Sequence, residues 1–421
     1  MTQSKHDGCL FLKHADVKKS EEDVICPEIT LMLSLHVDDN LVTGPDSEVE
    51  NVYQGLIDAF EDISIEKNHF RHFGIDVWRD PVLFNIYASQ KDYLSQLEPV
   101  TLPTGRTKKE ELASPSLVTE FRSLVAGIAW TGVTYAPSLT AGSLFQGYLP
   151  NVTIGQCEQL NAVLEQLKEE YRPLIYRADI HPPFRLISVV DSSLGNNTKY
   201  SQNGVFILLC CSSDTHICGP CVQLSFKSAK SKRVAPSTSH AETLASMLGL
   251  EEASFLQTWL LELAHPRMTS TELINAPSSM LAPIVAVGDC KDAFDMFTKP
   301  AFPTPVNRAL TLYVHAIREY FEQKKVEAFV WTDTRDNVAN ALTKFSQSGL
   351  LEISELRQFY TTASWEPTFP FRWHGEQLID PEPLLRFDFA EPPPPTRVMA
   401  DKAVDITPED PQEIYRQGSQ K

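Results

Sequence analysis

Three acidic residues in the second half of the chain stand at the ends of predicted elements. Asp191 and Asp289 each follow a predicted strand, and Glu242 lies in the first turn of a predicted helix. Carboxylates that converge from separate elements can hold two divalent cations about 3.5–4 Å apart, which activate a water and stabilise the leaving oxygen of a phosphodiester. Oxygen ligands favour Mg²⁺ or Mn²⁺ over softer metals. Strand-end aspartates are also common caps, so the spacing alone leaves both interpretations open.

A cluster of basic residues precedes Glu242 closely in the sequence: Lys227, Lys230, Lys232 and Arg233. The cluster belongs to a predicted loop that would flank the acidic residues. Such side chains could contact the phosphates of a nucleic-acid duplex. A solvated hairpin exit with no ligand is the alternative interpretation.

A second group of metal-binding residue types falls within a short segment that contains Cys210, Cys211, His216, Cys218 and Cys221. Cys218 and Cys221 have the spacing of a thioredoxin dithiol or of half a zinc site. The pair is predicted to lie in a hairpin loop rather than at a helix start, and the sequence has no second pair at zinc-finger spacing. Incidental cysteines, a zinc site and a redox site all remain open interpretations.

The elements that must position the acidic residues follow from the hydrophobic pattern of the second half. Apolar runs rich in β-branched residues predict strands, and longer segments with helical spacing predict helices. The predicted strands cover residues 184–190, 204–211, 221–227, 283–288 and 326–331, and the predicted helices cover 239–263, 306–324 and 333–345. Three strands, a helix and then alternating strands and helices indicate a mixed sheet flanked by helices.

The first half begins with a different pattern. Residues 29–36 form an apolar strand that runs into Asp38 and Asp39 and continues as a second strand, which predicts a strand, a tight acidic turn and a strand. Strands are also predicted at 73–78 and 82–88, and helices at 47–60, 90–97, 117–130 and 154–171. A polar stretch with two prolines, residues 100–116, marks a boundary inside this half.

Composition and charge restrict the class of protein. Of the 421 residues, 42% are hydrophobic, which is too many for a wholly disordered chain. Because no apolar run approaches the about 18 residues of a membrane span and the first residues do not resemble a signal peptide, we expect a cytoplasmic or nuclear protein without membrane contact. Eight irregularly spaced cysteines fit a reducing compartment.

The net charge argues against a simple nucleic-acid binder. The chain has 55 acidic and 37 basic residues, for a net charge of −18. Proteins that bind phosphate backbones tightly usually carry a basic surface, so the charge would have to be segregated. The segment 366–421 contains ten of the 29 prolines, which predicts a flexible acidic tail, either solvated or bound by a proline-recognising partner.

Six short motifs follow one another in the second half of the chain: Gly204-Val205-Phe206, Ser225-Phe226-Lys227-Ser228, Ser237-Thr238-Ser239-His240-Ala241-Glu242, Gly288-Asp289-Cys290-Lys291-Asp292-Ala293, His315-Ala316-Ile317-Arg318-Glu319 and Val338-Ala339-Asn340-Ala341-Leu342-Thr343-Lys344. In this order they resemble the ribonuclease H domain of copia-type LTR retrotransposon polyproteins.

Motifs of the first half resemble the reverse transcriptase of the same family. They are His36-Val37-Asp38-Asp39, Phe73-Gly74-Ile75-Asp76-Val77, Ser89-Gln90-Lys91-Asp92-Tyr93 and Phe121-Arg122-Ser123-Leu124-Val125-Ala126. The resemblance covers roughly residues 8–346. So many short matches in one order make chance similarity a poor explanation.

The resemblance implies a ribonuclease H that cleaves the RNA strand of RNA/DNA hybrids with Mg²⁺ or Mn²⁺. Asp191, Glu242 and Asp289 match three of the family's four metal-binding carboxylates. The fourth falls on Asn340, whose amide offers an oxygen but no charge. Asp336 lies four residues earlier and would share a helix face with Asn340, so it is a candidate replacement.

The resemblance also implies that Asp38 and Asp39 correspond to two metal-binding aspartates of the polymerase. The family's third aspartate is expected upstream of the sequence in hand, together with the fingers that hold template and nucleotide. Two carboxylates on a turn do not orient a primer end and a triphosphate. We therefore expect no independent polymerase activity from this chain.

These expectations combine into a mixed α/β (α+β) chain of four parts. They are a partial reverse-transcriptase palm at 1–100, thumb-like or connecting helices at 101–182, a ribonuclease H-like domain at 183–346 and a largely disordered acidic tail at 347–421. The expected partners are an RNA/DNA hybrid and upstream polyprotein segments, with no small-molecule cofactor. The alternative function is a catalytically decayed or domesticated fragment that binds nucleic acid or protein.

Overall fold

The computed structural model describes residues 1–15, 29–37, 39–60, 63–105, 108–194, 200–211, 219–299, 308–374 and 378–379. Within these ranges the chain forms two four-stranded sheets, one seven-stranded sheet and helices that pack on them. All the described residues belong to one unit, Met1–Arg386. This architecture is a mixed α/β protein, as the sequence predicts.

The first sheet is an antiparallel meander at the start of the chain. Its strands are β1 (Thr2–Gln3), β2 (Leu10–His14), β3 (Ile29–His36) and β4 (Asp39–Thr43), and α1 (Asp46–Ala59) follows. His36 pairs with Asp39 in the β3–β4 register, so the two predicted strands are confirmed. Asp38, in the predicted acidic turn between them, lies outside the described residues. Buried leucines on β2 and β3, among them Leu12 and Leu31, form its core.

The second sheet is also antiparallel and is completed from a distant part of the chain. It contains β5 (His69–His72), β6 (Ile75–Arg79), β7 (Ile86–Ser89) and β8 (Leu174–Tyr176), with α2 (Lys91–Gln96) after β7. The predicted strand 82–88 begins only at Ile86. Residues 81–83 form a turn instead, because the N–H groups of Val82 and Leu83 both donate to the Asp80 carboxylate.

Three further helices lie between α2 and β8: α3 (Pro115–Thr131), α4 (Ala136–Gln146) and α5 (Ile154–Glu170). Local signals fix their starts. Ser114 caps α3 before a proline at its first position, and Thr153 forms a capping box with Gln156 at α5. The predicted apolar stripe of α5, for example Leu160 and Leu164, is fully buried.

The third sheet is the large mixed sheet that the second half of the sequence predicts. Its strands are β9 (Phe184–Ser193), β10 (Gln202–Cys211), β11 (Cys221–Lys230), β12 (Ile284–Gly288), β13 (Val326–Trp331), β14 (Phe371–Trp373) and β15 (Leu378–Ile379). The spatial order is β11-β10-β9-β12-β13-β14-β15. β9, β10 and β11 pair antiparallel, β12 lies parallel to both β9 and β13, and β14 returns antiparallel to β13.

The large sheet is buried on both faces, which accounts for its almost continuous apolar strands. On one face lie α6 (Thr238–Ala264), α8 (Lys291–Thr298) and α9 (Arg308–Glu322), with the short α7 (Ser270–Ile274) after α6; the other face packs on α3–α5 and α10 (Ser354–Thr362). Neighbouring residues of β10 alternate between the two cores, with Phe206 on one side and Val205 on the other.

The predicted final helix at 333–345 is wrong in type. The structure has two 3-10 turns there, Thr334–Asp336 and Val338–Leu342. The side chain of Asp333 accepts from the N–H of Arg335, and that of Asn337 accepts from the N–H of Ala339 at 3.0 Å. Each cap starts a new short turn, so one continuous α-helix does not form.

Part of the segment assigned to the acidic tail packs on the body of the protein. Between residues 347 and 374 the chain forms α10 and then β14, and Leu356, Phe359 and Tyr360 of α10 are buried. Residues 380–421, with the run of prolines, lie outside the described residues.

Candidate metal centre

Three carboxylates meet at one edge of the large sheet. Asp191 lies near the carboxyl end of β9, Asp289 directly follows the parallel neighbour β12, and Glu242 lies near the start of α6. One carboxylate oxygen from each residue lies within 4.8 Å of the other two. The structure therefore brings together the three acidic residues that the sequence singles out. No other group of three or more acidic, His or Cys side chains among the described residues has the spacing to hold a metal ion.

Two glycines allow the neighbouring segments to approach Asp191 closely. A Cβ on Gly249 of α6 would lie 2.5 Å from Cγ1 of Val190, and a Cβ on Gly204, which pairs with Asp191 across β9 and β10, would lie 2.6 Å from the carbonyl oxygen of Ala339. Because side chains at these positions would clash, the glycines permit α6 and the second 3-10 turn to lie directly against the strands.

Hydrogen-bond donors hold both buried carboxylates of the cluster. Asp191 and Glu242 are both 4% exposed. The hydroxyl of Thr343 donates to Oδ2 of Asp191 at 2.5 Å, and the backbone N–H of Ser192 donates to Oε1 of Glu242 at 3.3 Å. Asp289 is half-buried, so it forms the more open side of the group.

The electrostatics of the cluster favour a bound cation. Burial raises the pKa of Asp191 to about 6, with repulsion from Asp289 as the next cause. Burial also raises the pKa of Glu242 to about 9, and the charges of Asp191 and Asp289 add to the shift. The positive charge of Lys344 opposes both shifts without cancelling them. A divalent cation would remove this penalty and stabilise the deprotonated forms.

A small cavity of about 30 Å³ adjoins Glu242. Most of its lining is apolar, including Val190, Phe294 and Phe297. Such surroundings do not solvate a carboxylate, which is the physical reason for the large burial effect on the pKa of Glu242.

The fourth position of the expected ligand set is occupied by the buried amide of Asn340, which is 3% exposed. Its Nδ2 donates to Oε1 of Glu355 on α10 at 3.2 Å, and its Oδ1 has no hydrogen-bond partner among the described residues. The backbone carbonyl of Asn340 accepts from the same Thr343 hydroxyl that contacts Asp191. Asn340 is therefore connected to the cluster through one side chain.

Asp336 is directed to a different place. Its carboxylate accepts from the N–H and hydroxyl of Thr368 and from the N–H of Phe369, at 2.7–3.0 Å. The expectation that it shares a helix face with Asn340 fails because the two residues belong to separate 3-10 turns. The structure does not bring Asp336 into the group of three carboxylates.

The four basic residues have unequal surroundings. Lys227 forms a salt bridge with Glu252 of α6. Lys230 lies over the ring of Tyr200 at 4.8 Å, and Arg233 lies over the ring of Tyr313 at 5.1 Å. Lys232 is exposed in the loop between β11 and α6. Three of the four therefore have aromatic or solvent neighbours, whereas Lys227 has an acidic partner.

Only part of the acidic turn at Asp38 and Asp39 and of the cysteine group at 210–221 lies within the described residues. Asp38 lies outside the described residues, and Asp39 is exposed at the start of β4. Cys210 and Cys221 are buried opposite one another in β10 and β11, and Cys211 is half-buried with its Sγ 4.0 Å from Nδ1 of His181. His216 and Cys218 lie outside the described residues, so the zinc and redox interpretations stay predictions.

Two supporting residues were not singled out from the sequence. Thr343 belongs to the last ribonuclease H-like motif, so a signal for it existed. Glu355 lies beyond the end of the resemblance at residue 346, and nothing in its local sequence points to Asn340.

No protein-family model matches the chain, and no curated protein matches it. Among solved structures, the chain is similar to LC11-RNase H1, which was isolated from compost by a metagenomic approach, with 14% identity and a TM-score of 0.26 over 38% of this chain and 92% of that one. It is also similar to LC11-RNase H1 in complex with an RNA/DNA hybrid, with 13% identity and a TM-score of 0.24 over 38% of this chain and 94% of that one. Among the described residues, no helix has the length and apolarity of a membrane span.

Proposed function

We propose that the large-sheet half of this chain is a metal-dependent nuclease that hydrolyses the RNA strand of RNA/DNA hybrids. The observation that carries the proposal is the convergence of Asp191, Glu242 and Asp289 within 4.8 Å from three separate elements. Three carboxylates with strongly raised pKa values for the two buried members form an oxygen-rich site that fits Mg²⁺ or Mn²⁺.

The metal ions, when bound, would supply an activated water and stabilise the leaving oxygen of the phosphodiester. The residues of the chain hold the ligand oxygens in place. Thr343 fixes Oδ2 of Asp191, Ser192 fixes Oε1 of Glu242, and Asp289 is the least buried of the three carboxylates. Glu242 is buried beside largely apolar side chains, which leaves its carboxylate with little contact to bulk water.

The substrate class rests on the ordered motifs that resemble the copia-type ribonuclease H domain. Proteins that read A-like duplexes contact the backbone and the 2′-hydroxyl rather than base edges. Lys230, Lys232 and Arg233 stand before α6, the helix that carries Glu242, and are available for phosphates. Lys227 is neutralised by Glu252 and would contribute only after that salt bridge opens.

The same resemblance suggests an origin for the rest of the chain. We propose that residues 1–100 derive from a reverse-transcriptase palm, and residues 101–182 from thumb-like or connecting helices of a copia-type polyprotein. Two carboxylates on a turn do not orient a primer end and a triphosphate, so we assign no polymerase activity to this part.

The test is cleavage of a 5′-labelled RNA strand in an RNA/DNA hybrid with and without Mg²⁺ or Mn²⁺. We expect metal-dependent cleavage that falls at least about a hundredfold in Asp289→Asn, since one ligand charge is lost. The exposed neighbour Asp292→Asn is the matched control and should keep full activity. Absence of cleavage by the folded protein with either metal, and also by Asn340→Asp, would refute the proposal.

Asn340 favours one alternative, a fragment that binds hybrids without cleaving them. A neutral amide in place of a carboxylate removes one of the negative charges that would attract and balance two divalent cations. Salt-dependent hybrid binding with no cleavage in either metal would support this function. Loss of measured cleavage in Asp289→Asn would exclude it.

A further inference from the structure

Asn340 has a partner that only accepts hydrogen bonds. Its Nδ2 lies 3.2 Å from Oε1 of Glu355, while the other Glu355 oxygen accepts from the hydroxyl of Ser354 at 2.9 Å. An ionised carboxylate has no proton to donate. The Asn340 amide must therefore turn its NH₂ group to Glu355, which directs Oδ1 the other way.

The amide oxygen of Asn340 is the second feature of this orientation. Oδ1 of Asn340 is buried and has no hydrogen-bond partner among the described residues. A buried acceptor without a partner is costly, and native proteins rarely keep one without a water or an ion. The free oxygen belongs to the residue that takes the place of the fourth metal-binding carboxylate in the resemblance described above.

The position of Asn340 connects this oxygen to the cluster. Its backbone carbonyl and Oδ2 of Asp191 share the hydroxyl of Thr343, at 2.9 and 2.5 Å. The 3-10 turn that contains Asn340 lies against Gly204, the cross-strand partner of Asp191. A shift of α10, which carries Glu355, is therefore transmitted to a segment that touches a proposed metal ligand.

We propose that Glu355 is a positioning residue that fixes the Asn340 amide so that Oδ1 serves as a neutral ligand to the cation of the cluster. This inference rests on the proposed metal site and adds a residue from α10 to it. Glu355 and Asn340 then act as one pair. Glu355 would hold the NH₂ group of the amide, and Oδ1 would be the atom left for the cation.

The pairing makes a specific prediction about substitutions. With Asn340 present, Glu355→Gln loses the partner that selects the amide orientation, and we expect Mn²⁺ to bind about tenfold more weakly. With Asn340→Asp, two carboxylates face each other and repel. Adding Glu355→Gln to Asn340→Asp then provides a donor to the new carboxylate, and we expect Mn²⁺ to bind about tenfold more tightly than in Asn340→Asp alone.

The experiment is calorimetric titration of the full chain with Mn²⁺, for the wild type, both single variants and the double variant. A sign reversal of the Glu355→Gln effect between the two backgrounds supports the pair, because a plain loss of charge or of stability would weaken binding in both. Glu352→Gln, which removes a charge just before α10, is the control and should act alike in both backgrounds. Equal effects of Glu355→Gln in both backgrounds would overturn the inference.

Two further outcomes separate this inference from the proposed function. If no variant binds Mn²⁺, the metal site itself fails; if the wild type binds and Asn340→Leu binds equally well, only the role of the Asn340–Glu355 pair fails. Asn340→Leu also serves if Glu355→Gln does not fold, since an apolar residue of similar size removes the unpartnered oxygen at little cost in stability. We expect Asn340→Leu to weaken Mn²⁺ binding about tenfold.

Discussion

The carboxyl groups of Asp191 and Glu242 bind protons more tightly in the folded metal-free protein than in the unfolded chain. Their pKa values rise from 3.8 to about 6 and from 4.5 to about 9. In that range the native state holds more protons than the unfolded state, so the free energy of unfolding falls as the pH rises. We expect the metal-free protein to lose stability steadily between about pH 4 and pH 9 from these two groups.

Thermal unfolding in a chelator at several pH values measures this loss, and millimolar Mg²⁺ should restore most of the stability at pH 8–9, because a bound cation replaces the protons. Glu242→Gln should make the stability nearly independent of pH above about pH 6, because Glu242 is the group whose folded-state pKa, about 9, lies above that pH. An equally steep fall in Glu242→Gln would show that other groups cause it.

At this scale the sequence predicts acidic residues better than their partners. Asp191, Glu242 and Asp289 could be recognised because strand ends and helix starts are visible in the hydrophobic pattern. The partners of Asp336 and Lys227 could not, since each is set by a packing contact with a distant segment, residues 368–369 for Asp336 and Glu252 for Lys227. The contact of Glu355 with Asn340 could not be predicted for the same reason, because α10 is a separate element that packs against the turn of Asn340.

Helix α6 brings Glu242 to the cluster because Gly249 lets the helix pack closely against β9. Gly249→Ala would place a Cβ 2.5 Å from Val190 and 2.7 Å from the hydroxyl of Ser188. We expect a loss of about 1–3 kcal/mol in the free energy of unfolding and weaker Mn²⁺ binding, because α6 must move away from the strand that carries Asp191.

Gly55→Ala is the matched control for this element. Gly55 lies inside α1, and a Cβ there would meet nothing within 4 Å, so the same change should stabilise by about 0.5–1 kcal/mol. Chemical denaturation of both variants gives the comparison. A stabilising Gly249→Ala with unchanged Mn²⁺ affinity would contradict the close-packing argument.

Elements with a strong hydrophobic period were predicted well, whereas the two short 3-10 turns within residues 334–342 were not. The apolar pattern predicted β9–β13 of the large sheet and the buried stripe of α5, but it did not predict β14 and β15, which lie in the segment assigned to the tail. The predicted helix at 333–345 failed because Asp333 and Asn337 each cap a separate short turn. The ordered segment around α10 was missed because prolines nearby suggested a tail, whereas Leu356, Phe359 and Tyr360 bury enough surface to hold it.

Across the molecule, α6 connects the candidate site to the first sheet. Near its far end, the buried Glu262 accepts hydrogen bonds from the hydroxyl of Ser4 and the N–H of Lys5, and it pairs with the ring of His6 at 2.6 Å. The predicted parts 1–100 and 183–346 therefore share a buried polar contact. Helix α6 therefore carries Glu242 near its start and contacts residues 4–6 and 14 of the first part near its end.

The net charge of −18 is the main obstacle to binding a phosphate polymer. Glu252 adds to this obstacle locally, because its salt bridge with Lys227 occupies a lysine that could otherwise contact a phosphate. Glu252→Gln keeps an acceptor for the hydroxyl of Ser225 but removes the charge, so Lys227 becomes available. We expect tighter hybrid binding, with the slope of log K against log salt concentration steeper by about one, the value for one added phosphate contact.

Glu251→Gln, at the exposed neighbouring position on α6, changes the net charge by the same amount without freeing a lysine. It should raise hybrid affinity only slightly and leave the salt slope unchanged, because remote charges act through a screened field rather than by displacing counterions from a specific phosphate. Fluorescence anisotropy with a labelled hybrid at several salt concentrations separates the two variants. If both change affinity and slope alike, net charge governs binding and Lys227 has no place in the nucleic-acid interface.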